Sequence, residues 1–113
     1  MANEDTDLAD AYWGRSEAAH NRVENAIRAG GRAAVLLLEQ LAAAAPDEAA
    51  LCSLGAGPLE DLVRWEGVAL ADELDSALER QPKLRVALRC VRVGVETLDS
   101  DISFRKFYGV PDQ

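Results

Sequence analysis

The sequence predicts an all-α fold, and three observations carry that expectation. Its apolar residues are mostly Ala and Leu, with aromatics only 5% of the chain; such a bias favours helix, because Ala and Leu lose little freedom there. Apolar positions recur at steps of three and four. Gly and Pro punctuate the chain at short intervals, and no segment pairs a period-two pattern with hairpin turn dipeptides.

The elements follow in order. A first helix is expected from a cap at Asp5 or Thr6 to Ala29, with Leu8, Tyr12, Ser16, Ala19, Val23, Ala26 and Ile27 as its stripe. Gly14 weakens it by about 1 kcal/mol and marks a bend, and Gly30-Gly31 ends it. A second helix runs from Arg32 to Ala45, before Pro46. Asp47 caps a short third helix ended by Gly55, and Pro58 opens a fourth that stops at Gly67. The fifth carries Leu70, Leu74, Ala77 and Leu78. The sixth runs from Pro82 to Gly94 with Leu84, Ala87, Leu88 and Val91 inward. The last, from Ser100 to Tyr108, offers Ile102, Phe104, Phe107 and Tyr108. Val91–Val95, the one β-branched patch, makes a poor strand. The expected architecture is six or seven short helices in an irregular orthogonal bundle or a HEAT-like stack of antiparallel pairs. It forms a single domain over residues 1–113, with residues 1–5 disordered.

Charge narrows the function. The formal charge is −8, divided as −11 over residues 1–79 and +3 over residues 80–113. Phosphate is gripped by Lys and Arg, so an acidic body excludes a general nucleic-acid binder. The longest apolar run, Ala33 to Leu38, is far short of the ~20 residues of a membrane span. No basic, then apolar, leader is read at the N-terminus. Cys52 and Cys90 lie in apolar helical runs and are expected as reduced core thiols. Together these point to the cytoplasm.

No catalytic set stands out. His20 is the lone histidine, and nucleophilic catalysis needs a base held beside the nucleophile. Glu17, His20 and Glu24 share a helix face on which a metal could see two side chains, but a site usually draws three protein ligands. No cofactor is expected. Gly55-Ala56-Gly57-Pro58 ahead of Glu60 and Asp61 has the glycines of a phosphate turn. Its acids repel an anion, however, and Pro58 removes an amide, so it reads as helix punctuation. Arg85, Arg89 and Arg92 form a basic stripe with Arg80 and Lys83 just before it. Trp13 and Trp65 each sit one step off a core stripe.

The stretch Ala56-Gly57-Pro58-Leu59-Glu60-Asp61-Leu62, closed by Gly67, resembles a domain-of-unknown-function family of small bacterial helical proteins. The likeness extends to Ala45-Pro46-Asp47-Glu48 and to Pro82-Lys83-Leu84-Arg85, and departs at Arg92, where an aromatic residue is expected. It implies a helical fold and brings no activity.

The functional expectation is a small acidic protein-binding module, of the kind an immunity protein or antitoxin represents, that occludes a basic partner. Its contact residues are expected to be Glu60, Asp61, Trp65, Glu66, Asp72, Glu73 and Asp75. The alternatives are a metal protein or enzyme on the Glu17/His20/Glu24 face, or a homo-oligomer joining acidic body to basic end.

Overall fold

Helical periodicity becomes eight α-helices in the computed structural model, which describes residues 4–93 and 96–109. They are α1 (Glu4–Trp13), α2 (Glu17–Ala29), α3 (Gly31–Ala44), α4 (Glu48–Leu54), α5 (Glu60–Glu66), α6 (Ala71–Arg80), α7 (Lys83–Leu88) and α8 (Phe104–Phe107). The fold is all-α.

α3 is the central helix. Its Ala34, Val35, Leu37, Leu38, Leu41 and Ala42 are all buried, and it packs on α1, α2, α4, α6 and α7. Each buried leucine contributes about 2 kcal/mol through the water it sheds. The principal packing partners are not chain neighbours: α1 lies on α3, and α4 on α7. A HEAT-like stack pairs consecutive helices, so the irregular bundle is the arrangement adopted.

Four boundaries differ from the sequence expectation. The first helix begins at Glu4, ahead of Asp5 and Thr6; residues 1–3 of the expected disordered stretch lie outside the described residues. That helix also breaks in two. Ser16 N–H donates to the Ala11 carbonyl and Arg15 N–H to that of Tyr12, at 3.0 and 3.1 Å, with Arg15 at φ 67°. This is a Schellman stop with Arg where Gly is usual. Ser16 then caps α2 by accepting from Ala19 N–H.

The second difference concerns Gly55 and Pro58, which neither stop nor start a helix. Residues Gly55–Leu59 form a π-helical segment that carries α4 straight into α5. Pro58 has no N–H to give, and the wider turn absorbs it, with Glu60 N–H reaching back five residues to Gly55. Gly55 serves approach instead of termination: a Cβ there would run into the carbonyl of Ala87 on α7.

Third, the sixth helix ends at Leu88, not Gly94. Arg92–Val93 (β1) and Glu96–Thr97 (β2) then pair antiparallel, Arg92 opposite Thr97 and Val93 opposite Glu96. The β-branched patch is therefore a small ladder after all. Gly94 itself lies outside the described residues. Fourth, the last helix is only α8, capped by Ser103. Phe104 is fully buried, so this end of the chain packs in cis on α6.

The cysteines overturn their expectation outright. Cys52, exposed on α4, is bonded to half-buried Cys90 after α7. The close α4–α7 packing that Gly55 permits brings the two together. With them goes the argument for a reducing compartment drawn from free thiols. Across a separation of 38 residues, the chain-entropy picture assigns such a bond about 4 kcal/mol.

Candidate binding surface

Of the seven residues expected to meet a partner, four serve the fold. Glu60 accepts the Arg92 N–H at 2.7 Å and pairs with Arg64 at 3.4 Å. Glu66 accepts the Gly31 N–H at 2.8 Å. Asp75 accepts from Phe104 N–H at 2.6 Å, from Arg105 N–H at 3.2 Å and from the Ser103 hydroxyl at 3.2 Å. Asp72 pairs with Arg105 at 3.1 Å. These carboxylates reach towards β1, α3 and α8. Helix ends leave N–H groups without partners, and long-range acids supply them.

Asp61, Trp65 and Glu73 remain. Glu73 lines a cleft of about 210 Å³ with Arg32, Asp72, Ser76 and Arg80. Asp61 and Trp65 are four residues apart on α5, and Val68 follows three later, so helical spacing sets them in one line. Trp65 is 52% exposed and Val68 62%. Ala69 is exposed beside them. The bundle buries neither Trp65 nor Val68, the two most exposed large apolar side chains among the described residues. Sequence reading found Trp65 from its position one step off the Leu62 line; Val68 and Ala69, beyond Gly67, were missed.

At the other end of that line, Asp61 faces a cleft of about 170 Å³ shared with Tyr12, His20, Val23, Glu24, Ile27, Gly57 and Pro58. Two carboxylates, Asp61 and Glu24, line it together with the buried Val23 and Ile27. A second cleft of about 340 Å³ opens beyond the Tyr12 and His20 rings, with Trp13, Arg15, Pro46, Asp47 and Ser53 among its walls. The rings stack at 4.1 Å.

The Glu17/His20/Glu24 face is organised differently from a ligand set. A carbonyl only accepts, so the 3.1 Å contact of His20 Nε2 with the Tyr12 carbonyl has the imidazole donating. Glu24 pairs with Arg28 at 3.5 Å. Among the described residues no three His, Cys, Asp or Glu side chains converge as metal ligands. Trp13 belongs to the framework: its Nε1–H donates to the Leu41 carbonyl at 2.7 Å, tying α1 to α3.

The basic stripe is divided between residues tied to the fold and residues left in water. Arg80 grips Glu39 through two bonds of 2.9 Å, and that carboxylate pushes its pKa upwards. Arg85 donates to the Ser100 carbonyl at 3.0 Å and Lys83 to that of Ala43 at 3.4 Å. Arg89 and Arg92 are exposed and make no ion pair with a described residue. No helix among the described residues is long and apolar enough to cross a membrane. No family model matches this chain, and no curated protein or solved structure matches it either.

Proposed function

We propose that this chain is a protein-binding module whose contact face is Asp61 and Trp65 of α5 with Val68 in the turn after it, and Glu24 of α2 at the same cleft as Asp61. The observation that carries the reading is Trp65, half out in water at the end of a helix whose other large apolar side chains are buried. Tryptophan is the residue type richest in interface hot spots. The partner is basic: Asp61 and Glu24 bring two carboxylates to one cleft, and the charge of −8 draws a cation from a distance. An immunity protein or antitoxin occluding a cationic cleft is the activity of this type that fits, as is a cytoplasmic setting. The likeness of residues 56–62 to the small helical family is kept beside it.

The test compares wild-type, Trp65→Ala and Asp61→Asn proteins as affinity baits against host extract. Wild type should retain a basic protein that elutes as salt rises. Trp65→Ala should lose about 2 kcal/mol or more of that affinity while unfolding at the same urea concentration. No retained protein, or equal retention by all three baits, sinks the reading.

A further inference from the structure

We propose that Cys52–Cys90 is a thiol–disulfide exchange site, opened by small dithiols through attack on Cys52 while the bundle stays folded. Three observations converge on it. Cys52 is exposed and Cys90 half-buried, so an incoming thiolate meets the Cys52 sulfur first. Arg89 and Arg92 flank Cys90 in the chain, both exposed and without an ion pair to a described residue. Glu48 is exposed one helical turn before Cys52, whereas the Glu60 carboxylate that reaches the Arg92 N–H on the Cys90 side is already paired with Arg64. Positive charge favours a thiolate and negative charge opposes it, so Cys90 is the better leaving group.

The chemistry balances. One thiolate of the dithiol bonds to Cys52 Sγ, and the electron pair of the old bond leaves on Cys90 Sγ. The dithiol's second thiolate then attacks its own sulfur in the mixed disulfide, expelling the Cys52 thiolate. The dithiol ends as a cyclic disulfide, two electrons have passed to the protein, and its two protons are available to the new protein thiols.

The surrounding core explains why the fold survives. Leu54, Ala87, Leu88 and Val91 are wholly buried on both sides of the bond. What the bond restrains is local. It closes a ring that leaves Cys52 through the π segment to Glu60 and returns from the Glu60 carboxylate through Arg92 N–H to Cys90. Opening it releases the π segment and the β1–β2 hairpin together. In a reducing compartment a disulfide is ordinarily transient and redox-sensing, which is the behaviour this geometry supports.

The experiment treats the oxidised wild-type chain with dithiothreitol, without denaturant. Free thiols should rise to two per chain while far-UV circular dichroism stays constant. Amide exchange should accelerate in residues 55–60 and in the hairpin strands, and not in α3. The Arg89→Gln/Arg92→Gln double variant should be reduced several-fold more slowly, with Arg89→Lys/Arg92→Lys restoring the rate. Thiols that appear only in denaturant, helix signal lost on reduction, or a glutamine variant reduced at the wild-type rate would each overturn the proposal.

Discussion

The carboxylate of Glu66 caps the helix that begins at Gly31, accepting its N–H from 35 residues away. Gly30, in the N-cap position at φ 71°, has no side chain for the purpose. It is glycine for a steric reason too, since a Cβ there would strike the Glu66 carboxylate. One residue's absence of side chain is thus fitted to another's presence.

Removing the cap should have the cost of an N-cap deletion. Glu66→Ala should lower the unfolding free energy by about 1–2 kcal/mol, measured by urea titration. Glu66→Gln, which keeps an acceptor but no charge, should lose less. An unchanged midpoint for Glu66→Ala would remove the capping role.

Asp75 performs the same service for α8 with three bonds at once. Asp75→Ala leaves two N–H groups and a hydroxyl to find water, so about 2 kcal/mol should be lost. The loss should be local. Amide exchange at 104–108 should quicken well before that of α3.

Gly55 and Gly57, two residues apart in one π segment, should respond in opposite directions. Gly55→Ala pushes a methyl into the Ala87 carbonyl and should cost about 3 kcal/mol. Nothing lies within 4 Å of a Cβ at Gly57, so Gly57→Ala should be neutral or stabilise by up to about 1 kcal/mol. Thermal melts of the two variants check this directly.

The chain's two tyrosines, Tyr12 and Tyr108, should ionise late. Burial raises both phenol pKa values above the ordinary one of 10.0, and the Tyr108 hydroxyl also donates to the Val63 carbonyl at 3.4 Å. The folded state therefore prefers the neutral phenols. Their contribution to stability is complete below the ordinary value and declines as pH climbs through it towards the raised folded values. Phenolate absorbance should rise only above pH 10.0 in folded protein, and at the ordinary value in urea.

How much of this was legible in the sequence depends on range. Leu74, Ala77 and Leu78 were readable as a buried face because periodicity is local, and all three are buried. Gly55 was not, because glycine that ends a helix and glycine that admits a neighbouring helix look identical until the neighbour is known. The Cys52–Cys90 pair carries no spacing signal, and its partners meet only once α4 lies on α7. Among the candidate contacts, acidity was plain but direction was not. Glu60, Glu66 and Asp75 are drawn inwards by N–H groups 29 to 35 residues away in sequence. Trp65 stayed visible since its exposure follows from its own helix.

The Cys52–Cys90 bond also changes what a protease can accomplish. A single cut anywhere from Ser53 to Arg89 leaves both fragments on one covalent molecule, with α5, α6 and α7 inside the nicked circuit. The Glu39–Arg80 pair and the Glu66–Gly31 bond hold that circuit to α3, which lies outside it. Such damage passes unseen on a non-reducing gel and is revealed when a thiol is added, so the same cleavage has two different consequences on the two sides of a redox boundary.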